Sequence, residues 1–264
     1  MERGESILWQ NLSSPELGEL ARMGAVAIVP VGAIEQHGPH LPVGVDTIAA
    51  SEVARRAAEE IEEFPVVVTP PVWWGVSPHH MGFAGTINLS TDTLIALLTD
   101  ICRSVSKHGF ERILILNGHG GNAGLVEVAA QRLTEGPEKV WVAAATYFRM
   151  ISEELDAIGE SELGGMSHAG EMETSVVLAV QPSLVRMDRA VDEPRRRLTS
   201  FTKADARLGG TVYYPLDLRR DSRSGVLGVP GVASAEKGER ILQAAVDKLV
   251  AFLREYRELP SEYA

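Results

Sequence analysis

Acidic and imidazole side chains follow the first apolar segment of the chain at a spacing that suits metal binding. Glu35 and His37 are two residues apart, so both side chains can point to the same side of an extended chain. Gly38 and Pro39 then bend the chain, which lets Asp46 return to the same point. Carboxylate oxygens combined with imidazole nitrogens suit Zn, Mn or Fe(II). A polar turn with Asp46 as a helix cap explains each residue singly, but the three together favour a metal site.

A second polar segment, residues 117–122, follows another apolar run and precedes a helical pattern. Its glycines suggest a dinucleotide-binding loop, but the G-x-G-x-x-G spacing fails because Ala123 stands at the last position. His119 is unusual in a phosphate-binding loop and natural as a metal ligand. The backbone amides near Gly120 and Gly121 are placed to hold an anion or a developing oxyanion.

A third polar segment, residues 167–175, runs into the apolar helical residues 176–180. His168 in this segment has two interpretations, a functional residue or an ordinary surface histidine. The helix dipole alone favours acidic residues such as Glu171 and Glu173 in a first turn. The segment by itself therefore indicates no function.

Two further histidines, His79 and His80, lie in a long loop between residues 73 and 86. A loop of this length over the end of a strand can shape a substrate pocket. We therefore expect His80 to lie near the substrate. The paired tryptophans at 73 and 74 are more typical of a core or an interface than of a ligand platform.

Strand and helix patterns alternate along the chain. Continuous apolar runs predict buried strands, and apolar residues at helical spacing predict helices between them. The predicted strands are residues 25–31, 65–69, 112–116 and 140–145, and the predicted helices are residues 47–61, 91–107, 123–133 and 235–256. Ser90 or Asp92 can cap the second helix, and Gly109 can end it. The alternation predicts one α/β domain over residues 1–264 with a mostly parallel sheet.

The first two polar segments directly follow predicted strands. Ligands of open α/β sheets bind just beyond the carboxyl ends of the strands, so the sheet itself brings these segments together. Residues 189–223 are the least regular region, and we expect them to form a flap or an oligomer contact.

Composition and charge narrow the class of protein. The chain has 264 residues, 45% of them hydrophobic, and a formal net charge of −11. Such acidity disfavours nucleic acid and membrane surfaces as partners. Cys102 is the only cysteine, so no disulfide forms within the chain. Residues 1–6 lack the pattern of a signal peptide, and no apolar run reaches the about 20 residues of a membrane span. We expect a cytoplasmic protein.

With these motifs in hand, the chain resembles the creatininase family of amidohydrolases over nearly its whole length. The resemblance rests on residues 29–40 (VPVGAIEQHGPH), 83–86 (FAGT), 117–119 (NGH), 173–175 (ETS) and 233–239 (ASAEKGE). It implies a three-layer α/β/α sandwich, two divalent metal ions (Zn, Mn or Fe) and a ring-like homo-oligomer, commonly a hexamer.

The resemblance also assigns metal ligands by position. It implies that Glu35 and His119 hold one ion, that His37 holds the second and that Asp46 bridges both. Members that hydrolyse creatinine have a tyrosine and a metal-binding glutamate directly after the histidine that matches His119.

Those two places are Gly120 and Gly121 in this chain, so one ligand is missing. We predict that Glu171 supplies the absent carboxylate and takes part in catalysis, with Glu173 as the second choice for the ligand and more suited to a supporting role.

Other departures make creatinine a doubtful substrate. Creatinine-active members have tryptophans at the positions of Gly164 and Phe148 and an acidic residue at Ser167. The substrate is expected to contact Phe148, His80 and the Gly120–Gly121 loop. The Gly-Gly-Asn and His-Ala-Gly-Glu patterns also resemble pyrimidine-related formamide deformylases and the peptidase of the mycofactocin precursor.

The predicted function is a metal-dependent hydrolase of carbon–nitrogen bonds other than peptide bonds. It would cleave a small amide, cyclic amide or formamide with a hydroxide that two metal ions activate, and His168 would donate a proton to the leaving nitrogen. The alternatives are a peptidase of the mycofactocin type and a non-catalytic, metal-binding oligomeric scaffold.

Overall fold

A parallel sheet forms the centre of the protein, whose computed structural model describes residues 7–136 and 140–260. The segment predicted not to be a signal peptide, residues 1–6, lies outside the described residues. The strands are β1 (Val26–Val31), β2 (Val66–Val68), β3 (Arg112–Asn117) and β4 (Trp141–Thr146), in the order β2-β1-β3-β4. Every pairing in this four-stranded sheet is parallel, with Ile28 beside Val68 on one side and Leu114 on the other. All four predicted strands are confirmed.

Helices cover both faces of the sheet. They are α1 (Ser14–Arg22), α2 (Val45–Glu60), α3 (Thr91–Lys107), α4 (Ala123–Thr134), α5 (Ser152–Ile158), α6 (Glu171–Val180), α7 (Leu218–Asp221) and α8 (Ala235–Glu258). The side chain of Ser90 accepts a hydrogen bond from the amide of Thr93, so Ser90 rather than Asp92 caps α3. Gly109 follows α3 with φ +95°, as expected for a glycine that ends a helix.

Alternate residues of the central strands belong to two separate cores. Val26 and Ile28 pack with α2, α5 and α8, whereas Ala27 and Val29 pack with α1, α3 and α4. Because both faces are covered, β1 and β3 are buried along their whole length. The predicted single-domain three-layer α/β/α sandwich is confirmed.

The sheet places the first two polar segments side by side. β1 and β3 are neighbours, and the amide of Gly118 donates a hydrogen bond to the carbonyl of Val31 (2.8 Å). The chain that leaves β1 therefore runs beside the chain that leaves β3 at the carboxyl edge.

Residues 189–223, predicted to be a flap or an oligomer contact, are mostly irregular in the structure and include α7. Among the described residues, no helix is long and apolar enough to cross a membrane.

Helices α6 and α8 approach each other closely at Gly238. A Cβ atom at this position would lie 1.9 Å from the carbonyl oxygen of Ser175. The absence of a side chain here lets the two backbones meet. Since α6 also carries part of the third polar segment, the contact holds that segment against the core.

We expect Gly238→Ala to lower the free energy of unfolding by about 1–3 kcal/mol, because the added methyl group overpacks this contact. Gly18→Ala is the matched control: Gly18 lies inside α1 with nothing within 4 Å of its Cβ position. There, alanine should raise stability by about 0.5–1 kcal/mol. Urea unfolding measures both changes, and equal effects of the two variants would contradict the close approach.

Candidate metal centre

Side chains from all three polar segments meet at the carboxyl edge of the sheet. Glu35, His37, Asp46 and His119 are 0–3% exposed. Glu173, from the first turn of α6, reaches the same point with 13% of its side chain exposed. The structure thus brings together the four ligands assigned from the first two segments. It adds a carboxylate that was only the second choice.

His119 directs one ring nitrogen at two carboxylates. Its Nε2 lies 3.2 Å from the carbonyl oxygen of Val76, which can only accept, so the ring proton lies on Nε2. Nδ1 then lies 3.2 Å from Glu35 Oε2 and 3.1 Å from Asp46 Oδ2. A lone pair that faces two carboxylates at this range suits a cation placed between them.

His37 is held in the same way with its nitrogens exchanged. Nδ1 donates to the carbonyl oxygen of Glu35 (3.0 Å), which leaves the Nε2 lone pair facing the site. Nε2 lies 3.5 Å from Asp46 Oδ1 and 3.7 Å from Glu173 Oε2. Buried Nε2 of His37 and Oδ2 of Asp46 have no hydrogen-bond partner among the described residues. These atoms without a hydrogen-bond partner fit the binding of divalent cations.

The electrostatics of the metal-free cluster show the same demand for positive charge. Burial opposes protonation of His37, but the carboxylates of Asp46, Glu173 and Glu35 outweigh it and raise its pKa to about 9. The pKa of His119 is also raised, by Glu35 and Asp46 against the effect of burial. Burial raises the pKa of Glu173 to about 7. The raised pKa values show that these side chains favour added positive charge.

Gln36 fixes the two histidines on the other side of the cluster. Its side-chain amide donates to His80 Nδ1 (3.0 Å) and to the carbonyl of Gly225 (2.9 Å). His80 therefore carries its proton on Nε2, which lies 3.4 Å from Glu35 Oε1. His168 Nε2 donates to the carbonyl of Gln36 (2.8 Å). His168 Nδ1 is left free to accept a proton, 3.6 Å from Glu35 Oε1.

His79 is a site residue to which the sequence assigned no function. Its half-buried ring stacks nearly parallel on His119, with centroids 5.8 Å apart. Nitrogen and oxygen atoms of Glu35, His79 and His119 lie within 4.8 Å of one another. Burial lowers the pKa of His79, which favours the neutral, metal-binding form of the ring.

Glu171 does not join the cluster, so its prediction as metal ligand and catalytic group is wrong. Its carboxylate accepts hydrogen bonds from Lys237 Nζ (2.7 Å) and from the amides of Glu160 and Ser161 (both 2.9 Å). Residues two apart on a helix point about 200° from each other, so Glu171 and Glu173 cannot both face the site. Glu171 instead pairs α6 with α8.

Glu173 takes the inward position through the turn that begins α6. Its Oε2 accepts a hydrogen bond from the amide of Ala169 (2.5 Å), which has a left-handed φ of 52°. A non-glycine residue in this conformation is strained, and such strain is concentrated at functional sites. This turn joins His168 to α6, and its amide holds the carboxylate of Glu173.

The predicted substrate contacts border the cluster. His80 lies in it, and the ring of Phe148 is buried beside Gly120, with its Cζ 4.0 Å from the position a Cβ on Gly120 would take. At Gly121 a Cβ would lie 2.4 Å from His119 Nε2 and 2.6 Å from the carbonyl of Val76. Their contact with substrate stays a prediction.

Because His37 and His119 hold protons in the metal-free protein, binding of a divalent ion should release them. At about pH 7.5, below the His37 pKa of about 9, we expect roughly one proton or more per ion. Release should decline above pH 9, where His37 is already neutral. Calorimetric titration with Mn²⁺ in buffers of different ionisation enthalpy measures this number. Identical heats in all buffers would show that the site binds no protons that a metal displaces.

Comparison with known proteins agrees with this geometry. A sequence model described as creatininase, creatinine amidohydrolase, matches residues 10–253. The mycofactocin precursor peptide peptidase of Mycobacterium tuberculosis (strain CDC 1551 / Oshkosh) is 34% identical over 247 residues, 90% of this chain and 88% of that protein. The creatinine amidohydrolase of Pseudomonas putida is 32% identical over 244 residues, 87% of this chain and 89% of that protein.

The fold is also similar to that of solved creatininase structures. A structure titled as the manganese form of creatininase aligns with a TM-score of 0.80 and 29% identity, covering 94% of this chain and 98% of that one. The predicted enzyme class, a hydrolase acting on carbon–nitrogen bonds other than peptide bonds, agrees with the family match and with the creatinine amidohydrolase relative. The fold, the motifs and the match over residues 10–253 together show that this chain belongs to the creatininase family.

Proposed function

We propose that the protein is a metal-dependent amidohydrolase that cleaves the carbon–nitrogen bond of a small amide, cyclic amide or formamide. The observation that carries the proposal is the buried cluster in which three carboxylates and the lone pairs of two imidazoles face one another. Leaving such groups buried and uncompensated costs several kcal/mol each, so the arrangement favours bound cations. The solved manganese creatininase supports a divalent metal.

In this proposal, Glu35 and His119 would hold one ion, His37 and Glu173 would hold the second, and Asp46 would serve both. Divalent ions such as Zn, Mn or Fe would lower the pKa of a water molecule from about 15.7 toward about 7 and so supply hydroxide near neutral pH.

His168 is the proton carrier of the proposed reaction. Burial lowers the pKa of His168, so the ring is neutral and Nδ1 is a proton acceptor. Nδ1 takes a proton from the attacking water and later gives it to the leaving nitrogen. Gln36 keeps the ring in the required tautomer, because its carbonyl accepts the other proton. Amides near Gly120 and Gly121 stabilise the oxyanion.

The geometry at Gly121 argues against creatinine as the substrate. No glutamate side chain can stand there on this backbone, because its Cβ would overlap His119 and Val76. The site therefore differs from that expected of creatinine-active members, and Phe148 gives a smaller pocket wall than tryptophan.

A peptidase is the second candidate. The mycofactocin precursor peptide peptidase is 34% identical to this chain, which supports a peptide bond as an alternative target of the same chemistry. Hydrolysis of short peptides together with inactivity on small amides would favour it. Metal binding without hydrolysis of either class would leave the oligomeric scaffold. The homohexamer and the cytoplasmic location stay predictions.

Asp46→Asn is expected to abolish binding of both ions and to lower hydrolysis at least about 1,000-fold, since the bridging charge is lost. Elemental analysis of the purified variant and activity on a panel of formamides, cyclic amides and peptides measure these effects. Asp92→Asn, on the exposed first turn of α3, is the matched control and should change neither. Full metal content in Asp46→Asn would remove Asp46 as the bridge.

Glu173→Gln and Glu171→Gln should affect different properties, metal binding and stability respectively. The first should weaken one metal position, because Glu173 faces His37. The second should keep the metal content but lower the free energy of unfolding by about 1–3 kcal/mol, because Lys237 loses its buried partner. Equilibrium dialysis and urea unfolding separate these outcomes. Loss of metal from Glu171→Gln alone would restore the original assignment.

A further inference from the structure

Two basic side chains lie beside the metal centre without a role in it. Lys203 Nζ lies 5.3 Å from the centroid of the Phe148 ring, and that ring borders Gly120 next to His119. Arg195 is near enough to Lys203 for their positive charges to interact. Both residues are half-buried. The chain has a net charge of −11, so two neighbouring positive side chains beside Phe148 stand out from its general acidity.

The two carboxylates whose charges act on Arg195, Asp205 and Asp221, have other partners. Asp205 accepts from Arg207 Nη2 (2.6 Å) and from the amide of Gly164 (2.8 Å). Asp221 is paired with Arg220 at 2.7 Å. Within residues 7–136 and 140–260, the side chains of Lys203 and Arg195 make no hydrogen bond or ion pair, apart from the contact of Lys203 with Phe148. Cations in such surroundings are stabilised when an anion joins them.

The Phe148 ring lies between Lys203 and the Gly120 backbone next to His119. Burial lowers the pKa of Lys203 to about 8, and the positive charges of Arg195 and Arg149 add to this shift. The negative charge of Glu173 acts in the opposite sense. Because the Phe148 ring lies beside Gly120, an anion held by Lys203 would lie on the Phe148 side of the metal centre.

We infer that Lys203 and Arg195 form a subsite for a carboxylate of the substrate, with Phe148 packed against the adjoining carbon atoms. The inference rests on the proposed function and narrows it to amides that bear a carboxylate, such as N-acyl amino acids or the C-terminal end of a peptide. A planar carboxylate matches the guanidinium fork. The nearby Glu173 favours a single negative charge over the about −1.5 to −2 of a phosphate monoester.

The test compares N-formyl-L-alanine, which bears the carboxylate, with N-formyl-L-alaninamide, which has an uncharged carboxamide in its place, and follows release of formate from both. The metal-loaded wild-type protein should favour the carboxylate at least about tenfold, a difference of about 1.4 kcal/mol. Preference is measured as kcat/KM where a probe is cleaved and as calorimetric Kd where it is not. Lys203→Gln and Arg195→Gln should each reduce it through KM or Kd, with little change in kcat or in the values for the amide.

Lys248→Gln is the matched control, because Lys248 is an exposed lysine paired with Glu154 (2.9 Å) away from the site. It should keep the full preference. Equal values for the two probes in the wild type, absence of binding of both, or a preference that survives in the double variant would overturn the subsite. Competition by inorganic phosphate as strong as that by the carboxylate probe would overturn the carboxylate assignment.

The outcomes separate this inference from the proposed function. A carboxylate preference that the variants remove, without cleavage of any amide, would support the subsite while contradicting the hydrolase. Cleavage of both probes at equal rates would support the hydrolase and contradict the subsite.

Discussion

Mutual repulsion of buried carboxylates is the constraint on which this structure depends. Glu35, Asp46 and Glu173 converge on His37 and His119 in a region with almost no exposure to water. Each imidazole has its proton fixed on the outer side by a backbone carbonyl, so its lone pair points inward. The negative charge of these carboxylates is balanced only when protons or cations bind. The raised pKa of His37 and of Glu173 is the response of the metal-free protein.

The rest of the fold keeps these groups together. Parallel pairing of β1 and β3 fixes the first two polar segments at one edge, and α2 presents Asp46 in its first turn. The third segment comes from α6, which is held by its close approach to α8 at Gly238 and by the buried pair of Glu171 and Lys237. The motif at residues 233–239 thus has a structural basis: Ser234 caps α8, and Lys237 and Gly238 bind it to α6.

The sequence was sufficient for the architecture and for four members of the site. Continuous apolar runs identified all strands, because a parallel sheet covered on both faces leaves no polar alternation. Glu35, His37, Asp46 and His119 follow from strand ends and spacing. The choice between Glu171 and Glu173 failed, since it depends on the rotation of α6 about its axis, and two acidic residues in one first turn do not show which of them faces the site. His79 was missed because a loop has no periodicity to show that both of two adjacent histidines turn inward.

Anomalous diffraction from crystals grown with Mn²⁺ tests the central claim most directly. Two peaks are expected, one among Glu35, Asp46 and His119 and the other among His37, Asp46 and Glu173. A protein that is fully folded and hydrolytically active with no peak among these side chains would contradict the metal centre.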